Sequence, residues 1–344
     1  MESIIRTSLV IKEINANLVR KYMRNNEKST KTEVARYTFL SLPTVSSIID
    51  NLLEKNEVKI LGQNKSSGGR RAMLYAINPI CALCAIVYIT PYAIEYFISD
   101  LMGKVLFDGH KDIEKGTHIE NIRQVLNELF DQYKPIKAIG IGVPAVVKKG
   151  VPVYCPEIPE IIGVNIKELC QDEFGVKIYV DRDISAITNG YYLREMSKEI
   201  TSIAYIYFPD FPGVHTPSAG FIANSQYIHG YSKFAGEIGF LPYFEKDKKL
   251  EFYSKSDQKK YIKSIVKIIA TIACMINPEC VILNCRQINE DILEIIKEKC
   301  RSYIPPEGKL EIKICKEVRE YLYIGLSSFT RKMLDSDVQL IMPA

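Results

Sequence analysis

The chain has 344 residues and 39.2 kDa, of which 47% are hydrophobic and 25% charged, so it can bury two or three domain cores and is not a disordered protein. It has no run of eighteen apolar residues, no signal-peptide pattern at its start and an odd count of nine cysteines, so we expect a soluble, cytoplasmic protein with no membrane partner. Residues 1–78 hold 13 Lys/Arg and 7 Asp/Glu, a charge of +6, which leaves −2 for the rest of the +4 chain and indicates a polyanion partner for the basic end.

The first two helices are predicted from apolar spacing and from a capping pattern. Apolar side chains recur three and four residues apart over 8–25, which is typical of an amphipathic helix. Its expected buried stripe is Ile11, Ile14, Leu18 and Tyr22. Thr30 and Glu33 have the capping-box spacing, in which the hydroxyl and the carboxylate each accept from the other's backbone amide, so a short second helix should begin there.

A third helix follows a turn at 38–40, where Ser41 can act as its cap and Pro43 lies in its first turn. The expected buried stripe is Leu40, Val45, Ile48, Ile49 and Leu52. Two short helices joined by a tight turn are what a helix-turn-helix needs to place its second helix in a major groove. The expected DNA-contacting residues of this helix are Ser41, Leu42, Thr44, Ser46 and Ser47.

A β-hairpin with a cationic tip is predicted next. Strand-like segments at 57–61 and 72–76 flank a glycine-rich basic stretch, and glycines let arginines approach phosphates closely. The tip residues expected to contact DNA are Lys65, Gly68, Gly69, Arg70 and Arg71. The plainer alternatives are a solvated turn for the hairpin tip and a solvated charged surface for the helices. The order of three helices followed by a hairpin favours instead a winged helix-turn-helix that binds double-stranded DNA.

Beyond a boundary near residues 77–82 the pattern changes to α/β. Hairpin strands come first and are followed by alternating helices and strands, and this succession occurs twice, which indicates two related lobes.

Three segments of this body, together with the head, resemble the ROK family of bacterial sugar kinases and their repressor relatives. Gly140–Ala145 is similar to the family's GxGxPG stretch, Asp181–Ala186 resembles ENDANA, and Ala235–Phe240 resembles AGEIGH. The resemblance implies an α/β fold, with an N-terminal winged helix-turn-helix and a two-lobed actin-like ATPase body of ribonuclease-H-like lobes.

The implied organisation is a head over 1–78, a first lobe over 82–190 with the helix 318–334 packed back on it, and a second lobe over 191–317. The resemblance also implies a homodimer whose two heads bind a palindromic operator. We therefore predict a transcriptional regulator that represses carbohydrate-metabolism genes.

Departures from the family's kinase pattern argue against catalysis. Tyr88–Tyr92 stands where the kinases have DxGGT, Thr216–Ser218 replaces a glycine-rich turn, and Asn284-Cys285 replaces a late Gly-Gly. Phosphate loops need glycine so that backbone amides can face the anion. We expect no enzyme activity, no catalytic residue and no cofactor; a divergent sugar kinase is the alternative.

The family's zinc site also departs from its pattern, because Phe240 replaces the histidine and no cysteine occurs between Cys170 and Cys274. Zinc requires four ligands, and the lone CxxC, Cys81 to Cys84, has no second pair. We expect no metal, and expect these two cysteines to pack at the domain junction.

A sugar pocket is the remaining expectation. Asp183 matches the carboxylate that acts as base in the kinases, and Glu237 matches one that binds sugar hydroxyls; Asn165 and Glu157 are weaker candidates. Arg182 replaces an asparagine, and would either change the effector to an acidic or phosphorylated sugar or neutralise Asp183 and close the pocket. If Asp183 only caps its helix, the pocket is dead and the protein binds DNA without an effector.

Overall fold

The computed structural model describes five stretches of the chain. They are residues 2–63, 72–209, 217–242, 258–304 and 310–334. Within these stretches no helix is both long enough and apolar enough to cross a bilayer.

Three helices and a two-stranded sheet form the N-terminal head. The helices are α1 (Glu2–Arg24), α2 (Lys31–Thr38) and α3 (Leu42–Glu54). The antiparallel strands are β1 (Val58–Gln63) and β2 (Met73–Ile77). These bounds lie within about two residues of the predicted ones, except that α1 begins six residues earlier than predicted.

Both predicted caps of the head are confirmed. The Thr30 hydroxyl accepts the amide of Glu33 at 3.2 Å, and the Glu33 carboxylate accepts the Thr30 amide at 2.7 Å, so each satisfies a helix-end donor. Ser41 caps α3 by accepting the amide of Thr44 at 3.3 Å, with Pro43 in the first turn. These pairs fix where α2 and α3 begin.

The head's core corrects the predicted stripe of α1. Among residues 10–24 of this helix, whose side chains the structure describes, Val19 and Met23 are the fully buried ones. Of the predicted stripe, Tyr22 packs against the core, whereas Ile11 and Leu18 are exposed. The α3 stripe is confirmed: its members are buried or partly buried against α1 and β2. Leu101, from a turn outside the head, is also buried in this cluster and ties the head to the rest of the chain.

A first five-stranded sheet follows the head. Its strands are β3 (Leu83–Ile89), β4 (Ala93–Ser99), β5 (Val105–Asp112), β6 (Ile136–Val143) and β9 (Lys177–Arg182), in the order β5-β4-β3-β6-β9. β3, β4 and β5 are antiparallel neighbours, and β6 and β9 run parallel to β3. A short hairpin of β7 (Val146–Lys148) and β8 (Val151–Tyr154), absent from the predictions, lies between β6 and β9.

A second sheet repeats this topology. Its strands are β10 (Ile203–Tyr207), β11 (Ser218–Ala223), β12 (Gln226–Tyr227), β13 (Cys280–Asn284) and β14 (Glu311–Ile314), in the order β12-β11-β10-β13-β14. Here too the first three strands are antiparallel neighbours and the last two run parallel to the first. The repeat explains why the hairpin-then-alternating pattern occurs twice in the sequence.

Helices cover both faces of each sheet. They are α4 (His118–Gln132), α5 (Ile166–Phe174), α6 (Asp183–Glu195), α7 (Gln258–Ile276), α8 (Glu290–Cys300) and α9 (Arg319–Lys332). α4 and α5 pack on the outer face of the first sheet, and α7 and α8 on that of the second. α6 and α9 form one core with the inner faces of both sheets. Successive side chains of β3 point to opposite faces of the sheet, as in any strand: Val87 and Ile89 face α4, while Ile86 faces α6 and α9.

Candidate functional site

A cavity of about 70 Å³ lies between the two sheets, where β3, β6, β9 and β10 end. The carboxyl ends of parallel strands are where open α/β folds bind ligands. Pockets for typical ligands are larger, roughly 300–1,000 Å³. The lining residues are Pro91, Pro144, Ala145, Val146, Tyr154, Pro156, Glu157, Arg182, Asp183, Ile184, Tyr207, Pro209, Ser218 and Glu237. The cavity therefore contains Asp183, Glu237 and Arg182, the three predicted sugar-site residues.

Asp183 is buried at the first position of α6. Its Oδ1 accepts the amide of Ile184 at 2.6 Å, and its Oδ2 accepts the hydroxyl of Tyr88 at 3.4 Å. Burial raises the pKa of Asp183 to about 7. The residue at the cap position is Arg182, and no side chain caps this helix. Asp183 is therefore a carboxyl that can donate as well as accept at neutral pH, and it lines the cavity.

Arg182 contacts Glu237 and not Asp183. Its Nη1 lies 2.8 Å from Glu237 Oε1, and its Nη2 donates to the Ala235 carbonyl at 2.8 Å and to the Tyr227 hydroxyl at 3.4 Å. The two charged side chains are only 4% and 12% exposed. Burial raises the pKa of Glu237, and the guanidinium partly offsets this. The contact shows that Arg182 pairs with Glu237 and does not neutralise Asp183 directly, which was one of the two roles that the sequence leaves open for it. The ion pair joins β9 to the segment after β12, 55 residues away in the chain.

The two weaker candidates for the sugar site, Glu157 and Asn165, lie in different places. Glu157 lines the cavity. Asn165 instead caps α5, because its side chain accepts the amide of Glu168 at 3.1 Å.

The turn at Thr90–Tyr92, where the sequence predicts the loss of a kinase phosphate loop, is closed by its own hydrogen bonds. The Thr90 hydroxyl accepts the amides of Tyr92 at 3.4 Å and Ala93 at 2.9 Å, and Thr90's amide donates to the Ala93 carbonyl. Amides engaged in this way have no hydrogen left for a phosphate, and Pro91 has none at all. Thr216, in the second altered turn, lies outside the described residues.

The third altered position is part of the second sheet. The Asn284 side-chain amide donates to the Cys315 carbonyl at 2.7 Å, and the backbone carbonyl of Asn284 accepts the amide of Phe208.

The described residues contain no cluster of three or more side chains able to hold a metal ion. Phe240 contacts Tyr154 and Phe234 through its ring. Cys81 packs against the head core, at the predicted junction, whereas Cys84 is buried in the core around α6 and α9.

The predicted DNA-contacting face of α3 is exposed or partly exposed. Leu42 and Ser47 are exposed. The hydroxyls of Ser41 and Thr44 are 2.8 Å apart. Ser46 accepts from Lys31 at 2.9 Å and donates to Asp50, so its hydroxyl joins a contact between α2 and α3. The predicted tip residues lie outside the described residues: they are Lys65, Gly68, Gly69, Arg70 and Arg71.

Sequence reasoning missed several aromatic residues at these sites. Tyr88, Tyr154 and Tyr207 contact Asp183 or line the cavity, yet a lone tyrosine carries no sequence signal for that position. Phe39, in the turn before α3, is 95% exposed with φ 57°, a conformation uncommon for a phenylalanine. Leu42, three residues later in the chain, is also exposed, so two apolar side chains face water near the start of α3.

Residues 92–249 match the model of the ROK family. The chain is 27% identical over 241 residues to a xylose repressor of Caldicellulosiruptor bescii, an alignment that covers 67% of this chain and 59% of that protein. It is 23% identical over 243 residues to the DNA-binding transcriptional dual regulator NagC of Escherichia coli, covering 67% and 58%. The chain thus aligns with about three fifths of the length of these relatives.

Solved structures share the fold. A ROK family transcriptional regulator, homologous to the Escherichia coli MLC protein, superposes with a TM-score of 0.74 at 15% identity over 95% of this chain and 97% of that one. A ROK family glucokinase from Streptomyces griseus superposes with a TM-score of 0.55 at 15% identity, over 73% of this chain and 98% of that one. The repeated sheets, the match over residues 92–249 and these superpositions agree: the chain is similar to the ROK family and shares the mixed α/β, actin-like kinase fold of its solved members.

Proposed function

We propose that this protein is a DNA-binding transcriptional regulator, a repressor of carbohydrate-metabolism genes, whose kinase-derived body senses a sugar without phosphorylating it. One observation carries the proposal: a capped three-helix head with a β-hairpin precedes a ROK body whose phosphate-loop turn is closed by the Thr90 hydroxyl. The relatives named xylose repressor and NagC support the same function.

The head is proposed to be a winged helix-turn-helix over 1–78, with the body divided into lobes over 82–190 and 191–317 and residues 318–334 packed on the first lobe. The exposed start of α3 would enter a major groove, where Leu42 and Phe39 suit the methyl group of thymine and Ser47 suits a phosphate or base edge. Arg70 and Arg71 would contact the backbone or minor groove beside it.

The effector is proposed to be a neutral sugar. The described lining of the cavity contains three carboxyl side chains, Asp183, Glu237 and Glu157, against one guanidinium, which Glu237 already pairs at 2.8 Å. A phosphate or carboxylate ligand would therefore meet like charge, whereas hydroxyls can donate to these oxygens. This argues against the acidic or phosphorylated effector that Arg182 suggested from sequence.

A homodimer would present two heads to a palindromic operator with fixed half-site spacing. A sugar between the two sheets would change operator affinity only if it binds the two arrangements of the heads unequally. No catalytic residue, metal or cofactor enters this proposal.

Capture of sheared genomic DNA by the purified protein, followed by sequencing, tests the function. An enriched palindromic site is expected, and the neighbouring genes nominate sugars to test. The Arg70→Ala/Arg71→Ala variant should bind the site more weakly, with a salt dependence about two units shallower if each arginine contacts a phosphate. The Lys198→Ala variant, a charge change in the body, is the control. Unchanged affinity and salt slope in the double variant would refute the tip assignment.

Two other functions make different predictions. A divergent kinase would hydrolyse ATP in the presence of a sugar and lose this activity in Asp183→Asn. An effector-independent DNA-binding protein would bind the operator identically with and without any sugar, and no sugar would raise its melting temperature.

A further inference from the structure

Three exposed aromatic rings lie side by side at the mouth of the cavity. Tyr154, Phe234 and Phe240 are 42%, 47% and 52% exposed. The ring centroids of Tyr154 and Phe240 are 5.6 Å apart, and those of Phe234 and Phe240 are 5.3 Å apart. We call these three residues the mouth cluster. Large apolar side chains left in contact with water at one place are characteristic of binding surfaces.

The mouth cluster is continuous with the proposed sugar pocket. Tyr154, at the end of β8, lines the cavity, and burial together with Glu157 and Glu237 raises the pKa of its hydroxyl. Phe234 and Phe240 lie on either side of Glu237 in the chain, so the ion pair with Arg182 fixes their segment beside the cavity. The cluster therefore joins the half of the body that carries the first sheet to the half that carries the second.

The size and chemistry of this place favour a saccharide longer than one unit. The cavity is small, about 70 Å³, so most of the contact area for a bound saccharide has to come from the mouth. The lining carboxyls suit hydroxyl groups, while the flat aromatic faces suit the C–H faces of a pyranose ring. The two kinds of contact together match a glycan and neither a simple polyol nor an apolar ligand.

We propose that the mouth cluster is a second sugar subsite, so that the effector is a neutral disaccharide or longer glycan whose terminal unit enters the cavity and whose next unit stacks on Tyr154 and Phe240. The inference rests on the proposed sugar-sensing function. A ligand held by rings from both halves of the body would favour the arrangement in which those rings are close, which is the unequal binding that regulation needs.

Calorimetric titration of the full chain tests the subsite. The probes are xylose with xylobiose, glucose with cellobiose, and N-acetylglucosamine with N,N′-diacetylchitobiose, each pair accompanied by the methyl β-glycoside of the monosaccharide. We expect at least one disaccharide to bind about tenfold more tightly than its methyl glycoside, the gain typical of one good aromatic contact. Phe240→Ala should abolish that gain and leave the affinity for the methyl glycoside within twofold. Phe234→Ala should act in the same direction.

The control is Tyr231→Ala, which removes a fully exposed ring of the same segment that has no place in the cluster. A disaccharide that binds no better than its methyl glycoside, or an equal loss in Tyr231→Ala, would overturn the subsite and leave the proposed function standing. If no member of the panel binds while the operator is still captured, sugar sensing is refuted and the subsite with it.

Discussion

Replacing Gly190 by alanine should destabilise the protein, although the same change usually stabilises a helix. Gly190 lies in α6 where this helix crosses α9, and a Cβ built on it would lie 1.8 Å from the Tyr321 carbonyl oxygen. Gly325 of α9 mirrors it, with its Cβ 1.8 Å from the Ala186 carbonyl. Ordinary contact begins near 3.4 Å, so the two backbones must separate by more than an ångström before either methyl group fits.

The size of the effect follows from two opposing contributions. Alanine in place of glycine favours the helix by about 1 kcal/mol, whereas forcing an extra carbon into a packed core costs about 1–3 kcal/mol, and more where backbone must move. Because the clash here is with backbone, we expect the cost to exceed that range, at about 4 kcal/mol. The net loss is then about 3 kcal/mol, or a melting temperature lower by about 6 °C for a body of this size.

Thermal melting followed by circular dichroism is the assay, with Leu193→Ala as control. Leu193 lies one turn further along α6 and is 53% exposed, so its truncation should change the melting temperature little. A Gly190→Ala variant that melts at the parent temperature or above it would show that α6 and α9 do not touch as described.

Three further predictions concern the ion pair of Arg182, the buried Asp183 and the contact of Leu101 with the head. Glu237→Ala should lower the free energy of unfolding in urea by about 3 kcal/mol, because the guanidinium of Arg182 stays buried without its carboxylate, and Arg182→Met/Glu237→Leu should recover most of that loss. Burial raises the pKa of Asp183 to about 7, so between pH 4 and 7 the folded state keeps a proton that the unfolded chain has released. The free energy of unfolding therefore falls as the pH rises from 4 to 7, by up to about 4 kcal/mol from this group. Asp183→Asn should therefore exceed the parent in stability at pH 8 and match it at pH 4; a constant difference across that range would refute the burial argument. Leu101→Ala should cost about 3 kcal/mol and lower the unfolding midpoint of the head, and a loss confined to the body would contradict its packing.

Local features were predictable from the sequence and distant ones were not. The capping box of Thr30 and Glu33 needs only residues three apart, so its pattern determined the start of α2. The predicted buried stripe of α1 was only partly correct, because this helix has more than one apolar face. Val19 and Met23 are buried because their side of the helix packs against α3 and β2. Periodicity within one helix contains no information about which neighbour covers it.

In the site, too, local features are predictable and distant contacts are not. The position of Asp183 follows from a motif within a single strand-to-helix junction. The partner of Arg182 depends on the segment after β12 folding back over the cavity, and nothing near Arg182 in the sequence indicates Glu237. The aromatic lining has the same origin: Tyr88 reaches Asp183 from another strand, 95 residues earlier.

The packing of α6 and α9 gives the cavity a physical connection to the head. α6 begins at Asp183 in the cavity and crosses α9 at two glycines. At the other end of α9, Arg331 donates to the Leu101 carbonyl at 3.2 Å, and Leu334 packs in the head's core with the Leu101 side chain. Closely packed backbones shift as units, because a core at native density does not deform continuously. A ligand that alters how α6 crosses α9 would therefore displace the turn that holds the head, and this gives the proposed regulator a physical reason to keep a kinase-like body.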